Sequence, residues 1–204
     1  MIGIVDYGLG NVRAFANIYG QLNIPFTIAT KAADLDGVTR VILPGVGAFD
    51  QAMHRLVQSG MKEPLERMVL RDKVPVLGVC VGMQILMATS EEGTSAGLGW
   101  IEGNVVRFQR PPADSSICIP HMGWNNVRTI KEAALFRDLG EDAMFYFLHS
   151  YYIRCDRPQD ILALTDYGGD FACAVQHGNV LGVQFHPEKS HGYGIQLLEN
   201  FAGI

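Results

Sequence analysis

Short apolar runs alternate with helix-like segments over the first half of the chain. Four runs have the length and composition of buried strands: 2–5, 26–29, 41–43 and 74–77. Asn11 can cap a helix that runs to about Leu22, and two helices are predicted over 50–69, with an interruption at Gly60. This alternation predicts an α/β fold, in which helices cover both faces of a central, mostly parallel sheet.

The pattern changes after Gly97, where short apolar runs follow one another with turn residues between them. These runs are 104–108, 144–148, 152–154, 161–164, 172–175 and 180–185. They predict an antiparallel or mixed extension of the same sheet. A last helix is predicted over 192–201, and 110–114 is predicted to be a surface loop. No repeat or linker interrupts the chain, so a single domain over 1–204 is the simplest organisation.

Composition and charge narrow the class of protein. Hydrophobic residues make up 48% of the chain and charged residues 18%, which is typical of a globular protein. The net charge is −5 and Lys and Arg form no run, so neither nucleic acid nor a membrane surface is expected as the main partner. No apolar stretch reaches the roughly 18 residues that span a bilayer. The N-terminus has no basic segment of the kind that opens a signal peptide.

The four cysteines of the chain are scattered, without the C-x-x-C spacing of a metal site. They are Cys80, Cys118, Cys155 and Cys173. This usage fits a reducing cytoplasm rather than a disulfide framework. We therefore expect a cytoplasmic protein that uses neither a metal nor another cofactor.

One of these cysteines lies in the sequence Gly78-Val79-Cys80-Val81-Gly82, between the apolar run 74–77 and the helix-forming segment 83–88. The pattern matches a nucleophile elbow with Cys in place of Ser. Glycines allow the sharp turn from strand to helix, and the N–H groups that begin the helix favour a thiolate. A buried structural cysteine at the end of a strand is the alternative that these residues leave open.

A second polar group, His186 and Glu188, follows the last apolar run. Pro187 restricts His186 to an extended backbone, in which residues two apart point the same way. Glu188 could then hold the His186 ring in one tautomer, as the acid of a catalytic triad does. With Cys80, these residues predict hydrolysis of an amide through a thioester, with His186 as the base. An exposed polar pair is the alternative.

Two loops follow predicted strands at the same edge of the sheet. The loop Pro44-Gly45-Val46-Gly47 is expected beside Cys80, because ligands of parallel sheets bind beyond the carboxyl ends of the strands. Its glycines could turn N–H groups toward an oxyanion, or it could be a plain turn. The loop 6–11 is predicted to be a tight turn rather than a phosphate site, since its glycines lack the phosphate-binding spacing.

Three stretches of the chain resemble the signatures of class I, triad-type glutamine amidotransferases: 44–47, 78–84 and 185–190. Three more resemble the branch of that family that forms the glutaminase subunit of imidazole glycerol phosphate synthase: 6–11, 120–125 and 147–152. The resemblance spans nearly the whole chain and departs from the usual form at Val81, where Leu is common. It implies a class I amidotransferase fold with the elbow after a central strand.

The resemblance also implies roles for individual residues. Cys80 would be the nucleophile, His186 the base and Glu188 the residue that orients it. The oxyanion would be bound by the N–H of Val81 and by an N–H near Val46 and Gly47. L-Glutamine would be contacted by Gly47, Gln84, Ser150 and Tyr151. The partner would be faced by Trp124, Asn125, Tyr146 and Lys189.

The implied partner is a TIM-barrel cyclase subunit, bound as a heterodimer. It would use the ammonia to make imidazole glycerol phosphate and aminoimidazole carboxamide ribotide in histidine biosynthesis. Three alternatives remain open: a paralogous glutaminase that supplies another synthase, such as one that amidates surface sugars; a cysteine peptidase or esterase; and a binding subunit without activity. The residues alone also allow Gln84 and Lys189 to be ordinary surface positions and the two aromatic residues of the partner face to be core.

Overall fold

In the computed structural model, residues 1–109 and 117–204 are described, so the loop predicted at 110–114 lies outside the described residues. The strands are β1 (Ile2–Val5), β2 (Phe26–Ala29), β3 (Arg40–Gly45), β4 (Val76–Cys80), β5 (Thr89–Ser90), β6 (Gly103–Arg107), β7 (His121–Asn126), β8 (Arg128–Thr129), β9 (Met144–His149), β10 (Tyr151–Cys155), β11 (Ile161–Asp166), β12 (Asp170–His177) and β13 (Val180–Val183). The helices are α1 (Val12–Gln21), α2 (Phe49–Gln58), α3 (Lys62–Glu66), α4 (Val81–Gln84) and α5 (His191–Gly203). A π-helical turn, Arg67–Arg71, continues α3.

The main sheet has the strand order β2-β1-β3-β4-β13-β12-β10-β6-β5. Its first five strands pair in parallel, and the pairs β13-β12, β12-β10 and β10-β6 are antiparallel. Strand β11 pairs with β12 and with β8. The structure thus confirms a mixed α/β sheet whose parallel half comes from the strands that alternate with helices, together with β13.

The central parallel strands are buried on both faces, as their continuous apolar runs predict. Every residue of β1, β4 and β13 is buried, and successive strand residues point to opposite faces of the sheet. Helix α1 packs against β1 and β2, and the Tyr19 hydroxyl donates to the Leu198 carbonyl of α5 at 3.2 Å. Helix α2 contacts α4, the helix that begins at the elbow.

One predicted strand lies outside the main sheet. The run predicted at 144–148 forms β9, which pairs with β7 in a separate two-stranded antiparallel sheet. The expectation that it extends the main sheet is therefore wrong. Strand β7 was not predicted, because its inward positions, His121 and Asn125, are polar and its outward positions include exposed Met122 and Trp124.

Several element boundaries also differ from the prediction, among them those of β4, which was predicted over 74–77 and spans Val76–Cys80. The helix expected over 83–88 ends at Gln84, because the carbonyl groups of Ile85 and Leu86 accept hydrogen bonds from Leu98 and Trp100 on the returning chain, at 2.8 and 2.9 Å. The strand expected over 180–185 ends at Val183. No helix in the described parts of the chain has both the length and the apolar character to cross a membrane.

Candidate active site

The turn at Cys80 has the strained backbone of a nucleophile elbow. Strand β4 ends at Cys80 and α4 begins at the next residue, and Cys80 has φ 56° and ψ −115°, where side chains are rarely found. Packing among glycines holds this turn. A Cβ on Gly82 would overlap the carbonyl oxygen of Leu43, and a Cβ on Gly45 or Gly78 would overlap backbone atoms of Gly82. The glycines therefore bring β3, β4 and α4 into backbone contact.

His186 and Glu188 form a buried pair. His186 Nδ1 lies 2.9 Å from Glu188 Oε1, and the two side chains are 3% and 1% exposed. His186 is extended, with φ −102° and ψ 93°, as the following proline predicts. The contact itself has a different origin from the one expected, because Glu188 lies in a 3₁₀ turn, Pro187–Lys189, that curls its carboxyl back to the ring. The alternative of an exposed polar pair is wrong.

The charge environment favours a protonated His186. Burial alone would lower the pKa of its imidazole, but the Cys80 thiolate, followed by the Glu188 carboxylate, outweighs burial and raises the pKa to about 10. Such a shift is expected where a thiolate and an imidazolium form an ion pair. The arrangement therefore holds a proton donor, the His186 imidazolium, beside the Cys80 sulfur at neutral pH.

The segment that carries His186 is tied to β9. The His186 N–H donates to the Tyr146 carbonyl at 2.8 Å, and the Tyr146 N–H donates to Ser190 Oγ at 3.0 Å. The Ser190 hydroxyl in turn donates to the His186 carbonyl at 2.6 Å. Because Ser190 is fully buried, these bonds fix the position of the imidazole relative to the β7–β9 sheet.

A cavity of about 300 Å³ opens beside the elbow. It brings together nearly all the residues predicted for catalysis, oxyanion binding and glutamine contact: Val46, Gly47, Cys80, Val81, Gln84, Ser150, Tyr151 and His186. Glu92, Pro120, Leu148, His149 and Lys189 complete its lining. Of the four predicted partner-facing residues, Lys189 alone reaches the cavity, while Trp124, Asn125 and Tyr146 do not line it.

Two backbone segments beside Cys80 are positioned to supply N–H groups. Gly45 of β3 is the register partner of Cys80, so Val46 and Gly47 leave the sheet next to the thiol. Gly47 has φ +88°, a conformation that favours glycine. Val81 is the first residue of α4, and the N–H groups of a first helical turn have no partner within the helix.

Two buried amides extend from Cys80 to the far wall of the cavity. Gln84 Nε2 donates to the Tyr151 carbonyl and to Gln184 Oε1, both at 3.0 Å, and Gln184 Nε2 lies 3.8 Å from Cys80 Sγ. Both amide protons of Gln84 are thus engaged, which leaves its Oε1 to accept a bond from a ligand. Gln184 was missed in the sequence, although a lone amide inside the apolar run 180–185 signals a partner.

Two further buried histidines were also missed as site residues. His149 Nδ1 lies 2.8 Å from the Tyr151 carbonyl, and His149 Nε2 lies 3.0 Å from His121 Nδ1. Burial is the main cause that lowers the pKa of His149 to about 3, and burial lowers the pKa of His121 to about 4. Both rings are therefore neutral at pH 7.

Two of the other cysteines have thiols that burial keeps protonated. All four are free thiols, and burial raises the pKa of Cys155 and of Cys173 to about 12, which keeps these two protonated and unreactive. Within 1–109 and 117–204, no group of three or more His, Cys, Asp or Glu side chains is placed to hold a metal ion.

The outer face of the β7–β9 sheet is apolar and exposed. In register, Met122 pairs with Leu148 and Trp124 with Tyr146, and Met144 lies beside them. Met122, Trp124, Met144 and Leu148 are exposed. The Trp124 ring stacks on His191, with ring centroids 5.3 Å apart, and Lys189 Nζ lies 5.7 Å from the centroid of the Tyr146 ring. Asn125 points to the opposite, inner face, toward His121.

The family model and the relatives of similar sequence agree on one family. A family model described as glutamine amidotransferase class-I matches residues 4–203. Imidazole glycerol phosphate synthase subunit HisH of Bdellovibrio bacteriovorus is 56% identical to this chain over 204 residues, all of both chains. The protein of the same name from Leptospira interrogans is 50% identical, again over the full length of both.

Solved structures share the fold at low identity. A putative GMP synthase component from Thermoplasma acidophilum superposes with a TM-score of 0.73 at 21% identity, covering 99% of this chain and 92% of that one. The glutaminase domain of a Trypanosoma brucei CTPS with bound acivicin gives a TM-score of 0.65 at 17% identity, covering 99% and 93%. At these identities the likeness shows the fold alone.

Proposed function

The chain belongs to the class I glutamine amidotransferases, and from that membership we propose that it is the glutaminase subunit of an imidazole glycerol phosphate synthase. It hydrolyses L-glutamine to glutamate and ammonia, and the ammonia serves histidine biosynthesis. The observation that carries this proposal is the buried His186–Glu188 pair, which shares a cavity with Cys80 on a strained elbow.

The geometry supports a thioester mechanism in two halves. The Cys80 thiolate attacks the side-chain carbonyl carbon of glutamine, the C–N bond breaks, and the proton on His186 leaves with the nitrogen as ammonia. His186, now neutral, takes a proton from water as the hydroxide attacks the thioester. Glutamate departs, and the thiolate and imidazolium are restored. Glu188 keeps the imidazole oriented and stabilises its positive charge in both halves.

The oxyanion of each tetrahedral intermediate needs two N–H donors. We propose the N–H of Val81 for one, since it begins α4 at the elbow. The second comes from the loop at Val46 and Gly47, which adjoins Cys80 through the pairing of β3 with β4. Glycine at position 47 lets this loop change the direction of its N–H groups at low cost.

Polar groups around the cavity match the ends of a glutamine molecule. The Glu92 carboxylate lines the cavity and would attract an α-ammonium group, while it also accepts a bond from the Phe49 N–H at 2.8 Å. Gln84 Oε1 offers a second acceptor. Gly47, Ser150 and Tyr151 would complete the contacts to the substrate.

The partner would bind the apolar outer face of the β7–β9 sheet. An exposed apolar patch of this kind marks an interaction surface, and here it borders the active site because Leu148 and Lys189 both line the cavity. A TIM-barrel cyclase seated on Trp124, Tyr146 and Lys189 would cover the cavity and receive the ammonia. Asn125 lies on the inner face of β7, so it would act on this interface through the strand.

Reconstitution with the cyclase tests the proposal. The chain is expected to co-purify with a histidine-pathway cyclase and to support glutamine-dependent conversion of its ribotide to imidazole glycerol phosphate. Without the partner, or with the partner lacking its ligand, we expect slow hydrolysis, because the loop at Gly47 can hold its N–H groups in more than one direction. Equal rates of glutamine hydrolysis with and without the liganded partner would contradict this expectation.

The same assay separates the alternatives. A glutaminase that supplies another synthase would release ammonia from glutamine but would not turn over the ribotide with this cyclase. A peptidase or esterase would not hydrolyse glutamine, and a reactive glutamine analogue would then fail to alkylate Cys80.

A further inference from the structure

We infer that His149 and His121 are positioning residues for glutamine binding, linked in a hydrogen-bond chain of fixed direction. The chain runs from Asn125 on β7 through both histidines to the Tyr151 carbonyl, which also holds Gln84. This inference rests on the proposed glutaminase function. It adds residues that do not react but that determine where a substrate-binding amide points.

The direction of the chain is set at its inner end. The Tyr151 carbonyl can only accept, so His149 Nδ1, 2.8 Å away, must carry the proton. The same oxygen accepts the second bond from Gln84 Nε2 at 3.0 Å. His149 and Gln84 are thus two donors on one acceptor, and together they fix the plane of the Tyr151 peptide group.

The proton positions in the rest of the hydrogen-bond chain follow step by step. His149 is buried and neutral, so with its proton on Nδ1 its Nε2 is an acceptor, and His121 Nδ1 at 3.0 Å must donate to it. His121 is also neutral, so its Nε2 accepts from Asn125 Nδ2 at 3.2 Å. No other assignment of these protons satisfies every contact.

The outer end of the chain is also fixed. The Asn125 amide donates its other proton to the Asp166 carbonyl at 2.9 Å, and its Oδ1 accepts from the Asn126 N–H at 2.8 Å. The amide therefore cannot be turned around without loss of these bonds. The His121 ring is held between Tyr167 and Phe147, with ring centroids 3.9 and 4.6 Å away. Each member of the chain is thus locked by neighbours outside it.

The hydrogen-bond chain links the proposed partner surface on β7 with the cavity. Asn125 and His121 lie on the inner face of β7, whose outer face carries Trp124 in the proposed partner surface. The other end reaches the cavity through Gln84. A shift of β7 would therefore be passed to the substrate-binding amide through four hydrogen bonds rather than through loose packing.

Two substitutions of His149 separate positioning from packing. The amide nitrogen of His149→Asn takes the place of Nδ1 and can still donate to the Tyr151 carbonyl, whereas His149→Phe fills the space without a donor. In the complex with the cyclase, we expect His149→Phe to raise the KM for glutamine about ten-fold, as for one lost hydrogen bond, with a much smaller change in kcat. His149→Asn should restore most of the KM.

The matched control is His54→Asn, which changes an exposed histidine on α2 and should leave both constants unchanged. If the wild-type complex is active but His149→Phe keeps its KM, or if Asn and Phe at position 149 have equal effects, the inference is overturned. An inactive wild-type complex would instead contradict the proposed function. The hydrogen-bond chain would then be tested by the imidazole spectra described next.

A measurement on the unmodified protein tests the hydrogen-bond chain without any activity assay, and variants serve only to assign its signals. ¹⁵N-detected imidazole spectra report the tautomer of each ring. We expect His149 and His121 to be neutral with the proton on Nδ1 at pH 7, and His121→Asn and His149→Asn spectra assign the signals. A protonated ring, or the Nε2–H tautomer at either residue, would overturn the inference whatever the glutaminase activity.

Discussion

At the scale of single residues, Cys80 is the position on which the proposed chemistry depends. Cys80→Ala removes the nucleophile while the elbow keeps its backbone, so ammonia release from glutamine should fall by about 10³-fold or more. The measurement is ammonia release by the complex at saturating glutamine. Cys118→Ala, at an exposed free thiol, is the matched control and should keep full activity. Unchanged ammonia release by Cys80→Ala would show that Cys80 is not the nucleophile.

The charge on His186 gives a second prediction at this scale. Burial lowers the pKa of His186 while the Cys80 thiolate is the larger of the two influences that raise it, to about 10. In Cys80→Ala the burial remains and only Glu188 opposes it, so the pKa of His186 should fall. An NMR titration of the His186 ring measures this pKa. A value that stays near the wild-type one would show that Cys80 is not ionised beside the imidazole.

Sequence could identify the residues of the site whose signal is local. Cys80 between glycines, and His186 two residues before Glu188, are short patterns that follow apolar runs, and the structure brings all three to one place. Gln184, His121 and His149 carry no such pattern. Gln184 bonds Gln84, 100 residues away along the chain, and His121 lies 28 residues from His149, so only the fold reveals these contacts.

At the scale of elements, the glycines at the elbow decide whether β4 and α4 can meet. A Cβ on Gly82 would overlap the Leu43 carbonyl oxygen, which is backbone and cannot move aside. Gly82→Ala should therefore cost about 2 kcal/mol or more of unfolding free energy and lower activity. Urea unfolding and ammonia release measure the two effects.

Gly20→Ala is the control for that change. Gly20 lies exposed in α1, and a Cβ there meets only the edge of Phe26 at 3.9 Å, an ordinary contact. Because alanine favours helix over glycine, this variant should gain about 0.5–1 kcal/mol. If Gly82→Ala and Gly20→Ala change stability alike, the close approach at the elbow does not constrain the fold.

The elements also differ in how well the sequence predicts them. Strands β1 and β4 were predicted because burial on both faces makes them continuous apolar runs. Strand β7 was missed because its inward positions are polar and join a hydrogen-bond chain. The end of α4 was missed because residues 98 and 100, distant in sequence, bond the carbonyls that would continue the helix.

At the scale of the whole molecule, one contiguous core joins both sheets among the described residues, which supports our inference of a single domain over 1–204. The two neutral histidines beneath the β7–β9 sheet make the stability of this unit depend on pH. Their pKa values are lowered from 6.5 to about 4 for His121 and about 3 for His149. The unfolded chain therefore binds more protons than the folded one below pH 6.5.

Stability should consequently fall as the pH falls from 6.5 toward 4, by up to about 1.4 kcal/mol per pH unit for each of these histidines. His186, whose pKa is raised, contributes its full stabilisation below pH 6.5 and loses it only toward pH 10. Asp34 and Asp50, whose pKa values are lowered, lose theirs only below 3.8. Urea unfolding from pH 4.5 to 7 measures the slope, which His149→Asn should reduce and His54→Asn should not. A flat profile would contradict the prediction.

The last prediction concerns assembly. Met122 is 66% exposed on the outer face of β7, beside Trp124, and Val57 is 55% exposed on α2. Met122→Lys and Val57→Lys each replace an exposed apolar side chain by a charge, so neither should change the unfolding free energy by more than about 0.5 kcal/mol.

Only Met122→Lys places an ammonium group inside the proposed partner surface, where it would lose its water on binding. We therefore expect it to weaken cyclase binding by about ten-fold or more, which is about 1.4 kcal/mol, while Val57→Lys binds as the wild type does. Titration calorimetry gives both affinities. Because the same face borders the cavity, the loss of binding should be accompanied by a loss of partner-stimulated glutaminase activity. Full affinity in Met122→Lys would place the partner on another surface.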